Sequence, residues 1–245
     1  MDWLFREAGP ARASLALGAA SEQEGTKMTP SLKRIGLALA LALAIGALAA
    51  ATASAHEFHF ETAPMIVTGE QDNTHANEFA FPFGAVECEK SHFEGTTVAQ
   101  EVGELTLKPK YENCKQEANN ATVTTNECDF VFTGKTDANG HSQLHIVCPA
   151  GKKIEVSIPA LNCTLKIGTQ TPQKGVKYTN TGAGKTRDFD ATITAEGIVY
   201  EKSGGMLCQM IGGNGKEGKY VSEVTVSAYE DEESKEGPQT GTWVE

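Results

Sequence analysis

Basic side chains are scarce in this 245-residue sequence: 21 Lys and Arg stand against 32 Asp and Glu, for a formal net charge of −11. A surplus of that sign repels nucleic-acid phosphates and anionic lipid, so neither is an expected partner. Helical patterning is missing after residue 55, where no window carries a sustained apolar stripe at 3.6-residue spacing, and a helical domain is excluded. No C-x-x-C pair occurs among the six cysteines and no histidine follows one at ligand distance, which argues against a thiolate metal site. A Gly-x-Ser-x-Gly nucleophile elbow is absent too, and the many carboxylates cannot be paired in space from sequence alone. Only one of the two tryptophans, Trp243, lies beyond residue 55, so no aromatic platform for sugars is marked out.

What the sequence does have begins with a leader. Residues 35–51 are almost entirely Leu, Ala, Ile and Gly, preceded by Lys33 and Arg34 and followed by Ala53-Ser54-Ala55. These are the charged, apolar and small-residue parts of a secretory signal. The apolar run sits at the short end for a membrane span, and the cleavage site favours removal, leaving no membrane attachment. Residues 28–55 then form a leader of ordinary length starting at Met28, and residues 1–27, with mixed charge and no periodicity, read as a non-native or disordered extension. Removing residues 1–55 takes away five basic and four acidic residues, leaving 16 against 28 and a net charge of −12. The bland account of that charge is solubility outside the cell.

All six cysteines, Cys88, Cys114, Cys128, Cys148, Cys163 and Cys208, follow the expected cleavage site, and an even count in an exported chain points to three disulfides. One pairing follows from register. Residues 127–133 (ECDFVFT) and 141–148 (HSQLHIVC) flank Asp137-Ala138-Asn139-Gly140, a turn signal. Folding about Ala138 sets Phe130 opposite Ile146, Phe132 opposite Leu144 and Cys128 opposite Cys148, which makes one face wholly apolar. Directly opposed strand residues lie at a separation that a disulfide spans. Cys88–Cys114 and Cys163–Cys208 follow by proximity and elimination.

Short alternating runs recur between Gly-, Thr- and Asn-rich turns: 57–61, 77–81, 104–108, 121–125, 153–158, 163–167, 190–194, 197–201 and 219–228. The expected class is all-β, a disulfide-stapled β-sandwich over residues 56–229. Tyr111 precedes an Ala-Thr-Val-Thr run and Tyr178 an Ala-Thr-Ile-Thr run. A duplicated meander would produce that echo, and so would chance in a Thr-rich β protein. Residues 230–245 read as an acidic linker followed by a short edge strand at Thr242-Trp243-Val244-Glu245, since a lone tryptophan is a poor residue to leave in water.

The leader ending Ala-Ser-Ala, the run ATVTTNEC from Ala121 to Cys128, CPAGKKI from Cys148 to Ile154 and VKYTN from Val176 to Asn180 are similar to families of small exported, disulfide-containing β-rich proteins of high-GC Gram-positive bacteria. The resemblance covers most of the mature region. It implies a fold and a compartment and carries no activity over.

Four local patterns suggest chemistry. Cleavage after Ala55 would make His56 the N-terminus, offering an amine and a ring nitrogen to copper in a way that resembles the brace of lytic polysaccharide monooxygenases. His59 is three residues on and would face the opposite side of a strand, so the second ligand would have to be His92, His141 or His145. Gly182-Ala183-Gly184-Lys185-Thr186 resembles the end of a phosphate loop, but Thr179 stands where its first glycine belongs, and a strand-connecting turn explains it better. Lys135 occupies the first-carboxylate position of a calcium loop at Asp137-x-Asn139-Gly140. Met206, Cys208 and Met210 would share one strand face and offer soft ligands to Cu(I), but an oxidised Cys208 with the methionines filling core explains them better. The leading expectation is a non-catalytic exported protein without a cofactor, binding an unidentified partner at the cell surface or in the medium. A copper protein using His56 is the alternative.

Overall fold

The computed structural model describes residues 57–72, 75–136, 141–172, 175–210, 212, 215–230 and 239–245. The expected leader, the N-terminal extension, His56, the turn at 137–140 and the acidic stretch 231–238 lie outside the described residues. Among those described, no helix is long and apolar enough to cross a membrane.

Period-two alternation decides most of the elements. Ile154, Val156 and Ile158 are buried while Glu155 and Ser157 are only half-buried, and Leu105 and Leu107 point inward between exposed Glu104, Thr106 and Lys108. The strands are β1 (Phe58–Phe60), β2 (Met65–Gln71), β3 (Asn77–Phe81), β4 (Gly84–Thr97), β5 (Glu101–Val102), β6 (Glu104–Gln116), β7 (Asn119–Thr124) and β8 (Asp129–Thr136). They continue as β9 (Ser142–Val147), β10 (Ile154–Ile158), β11 (Cys163–Ile167), β12 (Val176–Thr181), β13 (Asp188–Ile198), β14 (Glu201–Gly204), β15 (Gly218–Tyr229) and β16 (Thr242–Val244). One short helix, α1 (Met206–Met210), stands between β14 and β15.

The all-β class holds, and the main sheet returns on itself. Pairing runs β6–β8–β9–β12–β13–β15–β2–β4, and β4 pairs again with β6, antiparallel at every step. The step between β9 and β12 rests on a single opposed pair, Ser142 with Val176. The described strands therefore form two facing sheets fused through β2 and only lightly joined at the other side. Phe93, Leu107 and Phe132 on one sheet meet Phe189, Val224 and Val226 on the other, and the void left among them is about 10 Å³. That is no more than one water occupies, so the interior is a packed core. Phe58 of β1 completes it, edge-on to Tyr178 and against Phe189. From β6 an open row continues outward as β7–β10–β11–β14, burying Ile154, Val156, Ile158, Leu165 and Ile167.

The hairpin register appears as expected: Phe130 faces Ile146 and Phe132 faces Leu144. Beyond Phe132 the register shifts, so that Thr136 faces Ser142. All three disulfides join the expected cysteines. Trp243 lies on β16 beside β1, its ring stacked on His59 at 5.3 Å.

Other expectations need correcting. Residues 197–201 are not a strand of their own: β13 runs through to Ile198 with a bulge at Gly197, whose φ of +70° suits glycine. Met206, Cys208 and Met210 are helical, not a strand face, and the two methionines are 78% and 73% exposed while Cys208 is fully buried. The helix turns one side inward to reach Cys163 and leaves the methionines out. The Tyr echo has no common register, because Tyr178 faces Ala191 while Tyr111 faces Ser91 and Ala121 faces Cys114. Alternation also missed β2, β4, β12 and the short strands β5 and β14. In β4 the buried phase changes from Val86 and Cys88 to Ser91 and Phe93, and β12 buries only Val176.

Candidate functional site

Strands β2 and β3 run in one direction along β15, forming a single strand position with an interruption. Gln71 faces Val224 and Glu78 faces Val221, so β15 advances three residues while its neighbour advances seven. The link between Gln71 and Glu78 therefore holds four residues more than the stretch of β15 it spans, an extruded segment at the level of Glu223 of which residues 73 and 74 lie outside the described residues. Alternation along β15 sends Tyr220, Ser222 and Val224 inward and leaves Glu223 on the outer face. The extruded segment is tied at both ends. The Asp72 amide donates to the Glu223 carbonyl at 2.9 Å, and at the far end the buried Asn77 side chain accepts from the Tyr220 hydroxyl at 3.0 Å. Within it, the His75 amide donates to the Asp72 carbonyl and the Gln71 side-chain amide donates to the His75 carbonyl at 2.8 Å.

The result is a gathering of three side chains. One ligand atom each from Asp72, His75 and Glu223 lies within 4.8 Å of the other two. His75 Nδ1 sits 2.5 Å from Glu223 Oε2, and the other Glu223 oxygen accepts from the Thr192 hydroxyl at 3.2 Å. Thr192 faces Glu223 directly across β13 and β15. One imidazole nitrogen and two carboxylates form a donor set suited to a first-row divalent cation.

Two other histidines have two carboxylates each, arranged differently. His92 on β4 meets Glu70 through Nδ1 at 2.5 Å and Glu94 through Nε2 at 3.3 Å. His59 meets Glu101 through Nδ1 at 3.6 Å and Glu245 through Nε2 at 3.9 Å, with Trp243 against its face and the Arg187 guanidinium over that indole at 4.9 Å. In both, the carboxylates lie on opposite ring nitrogens, so that the imidazole stands between them. A single cation cannot collect that set.

The residues singled out from sequence are thereby placed. His92 is held between carboxylates, His145 Nδ1 bonds the Thr171 hydroxyl at 2.7 Å, and His141 lies just before β9. His56, the copper candidate, is outside the described residues. Gly184–Thr186 is a turn of 3-10 helix linking β12 to β13, as the strand-connecting reading anticipates. The cysteines are all oxidised. Sequence reading passed over Asp72, His75, Thr192 and Glu223. Glu223 looks like any outward strand residue, and nothing local ties it to the polar run around His75.

The titratable groups that burial shifts are not members of this cluster. Tyr111 donates to the Tyr220 hydroxyl at 3.1 Å. Burial, with Tyr220 beside it, lifts the Tyr111 phenol well above its ordinary range, and burial raises Tyr220 to about 12 against opposing hydrogen bonds from Ser222 and Tyr111. Both phenols stay neutral and act as structural donors. Asp188, at the start of β13, is raised by desolvation and by Asp190, with a Ser227 hydrogen bond working the other way.

No family model, curated protein or solved structure matches this chain.

Proposed function

We propose that this protein is an exported, non-catalytic β scaffold that works by binding through its outer surface. The packed interior carries the reading: with about 10 Å³ left between the facing sheets, a small molecule has no room inside, and contact with a partner falls to the exterior. Three disulfides support the compartment, since such bonds persist where the surroundings are oxidising. The acidic surplus of the sequence favours a basic or neutral partner at the cell surface or in the medium.

N-terminal sequencing and intact-mass measurement of the product from the medium test the export half of this reading. The expected product begins at His56 and carries three disulfides. A product that stays inside the cell with reduced cysteines would overturn it. Cross-linking the purified protein to the cells that make it tests the binding half, with capture of one saturable surface partner expected and purely unsaturable adhesion counting against it. Turnover of a glycan, ester or peptide substrate that vanished on a single substitution would refute the non-catalytic claim.

A further inference from the structure

We infer that Asp72, His75 and Glu223 bind a first-row divalent cation on the outer face of the closed sheet, bridging the segment extruded between β2 and β3 to strand β15. The site goes beyond the scaffold reading and stands without it.

Three features set this cluster apart from the rest of the molecule. The first is convergence. Among the described residues, His75 has its two carboxylate partners gathered so that one atom from each residue lies within 4.8 Å of the others, whereas His92 and His59 split theirs between opposite ring nitrogens. The second is support. Glu223 sits in the middle of a strand hydrogen-bonded on both sides, and Thr192 fixes one of its oxygens from the neighbouring strand. A hydrogen-bonded carboxylate keeps its orientation when the ion arrives, and losing such a partner costs affinity. The third is access. The His75 side chain is 64% exposed and that of Glu223 30%, so a cation can enter with part of its water shell and keep open positions.

The chemistry selects the ion class. Two carboxylates cancel a dication's charge, and the imidazole favours zinc and its first-row neighbours over calcium, which prefers an all-oxygen shell. Cysteine does not compete, because every thiol is tied in a disulfide. Binding closes a loop between residues distant in sequence, so the bound ion stabilises the join between β2, β3 and β15.

The test uses the full, disulfide-intact, tag-free chain, stripped of metal and titrated with Zn²⁺ by calorimetry, with thermal melting in parallel. One equivalent binds and raises Tm. His75→Ala and Glu223→Gln each weaken binding about a hundred-fold or more, and Thr192→Val, which removes only the supporting hydroxyl, weakens it by a smaller factor of about ten. His92→Ala, His59→Ala and His56→Ala leave it unchanged. Because His75 is exposed, its variant keeps the melting temperature of the metal-free parent, which separates loss of the site from loss of the fold. Failure to bind Zn²⁺, undiminished binding by His75→Ala, or binding that disappears with His56→Ala or His92→Ala would each overturn the inference.

Discussion

The closed ring of eight strand positions and the open row β7–β10–β11–β14 solve the same problem in different ways. Every strand of a sheet must satisfy two edges. The ring does so by returning β4 to β6, and its centre is aromatic: Phe58, Phe79, Phe93, Phe130, Phe189 and Tyr220 are buried almost completely. The row is aliphatic and ends on β14, whose outer side would be free to pair with another chain. Helix α1 lies against that end, with the Gln209 side chain donating to the Lys202 carbonyl at 3.4 Å and the Gly205 amide to the Asn162 carbonyl at 2.9 Å. Cys163–Cys208 ties the helix to β11. The disulfides thus do different jobs. Cys88–Cys114 joins directly opposed residues of a ladder that already exists, and Cys128–Cys148 closes the ends of another, while Cys163–Cys208 secures an element with few other attachments.

Replacing Phe130 with Ala gives the largest expected loss. Its ring touches Phe93, Phe132 and Tyr220, and a closed sheet cannot collapse into the space left behind. The cost falls near the top of the ~3–5 kcal/mol range for such truncations. Denaturant unfolding checks this, and a cost under about 2 kcal/mol would show that the ring relaxes as freely as an open sheet. Substituting both Cys163 and Cys208 with Ala comes next. Their separation of 45 residues corresponds to about 4 kcal/mol by loop closure, against roughly 3 for Cys128–Cys148. The distribution matters more than the total. Hydrogen exchange should quicken first at the amides of β14 and β11 and leave β13 and β15 protected, with self-association rising as the β14 edge is uncovered. Equal loosening of ring and row would erase the distinction between them.

Legibility in the sequence varied within each region. In β8, β9, β10 and β11 the apolar residues alternate cleanly, so the hairpin register and the Cys128–Cys148 link follow from side-chain direction alone. Closure of the ring does not, because it depends on β4, whose inward residues include Ser91 and Thr97 and whose alternation changes phase midway. The row's last strand, β14, reads Glu-Lys-Ser-Gly and offers no apolar contrast. The short helix was hidden for a related reason: Met206, Leu207 and Met210 are exposed apolar residues, and apolar residues in a β-rich sequence are naturally assigned to core. The candidate metal cluster is the least legible part. It depends on an insertion opposite Glu223, which only the three-dimensional register displays.

A mid-sized effect is expected from Tyr220→Phe, which sharpens the view that the ring is knitted by a few buried polar contacts. The hydroxyl donates to Asn77 Oδ1 and accepts from Tyr111. Its removal strands a buried acceptor beside the extruded segment, at about 2 kcal/mol. Thermal melting measures the loss, and a change within about 0.5 kcal/mol, ordinary for a surface substitution, would show that the network contributes nothing net.

The smallest expected effect contrasts one acid in each region. In the ring, desolvation raises the Asp188 carboxyl, and one of its oxygens is buried without a partner. A folded-state value above the unfolded one means the native state binds the proton more tightly. The associated stability is complete below the unfolded carboxylate range and lost as pH rises through the folded value. Asp188→Asn should therefore raise Tm at neutral pH and lose that advantage as pH falls below the carboxylate range. The gain is about 1–2 °C, because a full kcal/mol is worth about 2–4 °C at this size and solvent screens a half-buried group. In the row, Lys153 hydrogen-bonds Glu201 at 2.6 Å and holds its carboxyl below the ordinary range. The sign is reversed: that support is present above the unfolded carboxylate range and lost as pH falls through the folded value. Glu201→Gln should lower Tm at neutral pH, and by less, since the pair is exposed to water and salt. Melting curves of both variants across the acid range decide the matter. Shifts of the same sign would mean that burial in the ring and exposure in the row do not govern these two carboxylates.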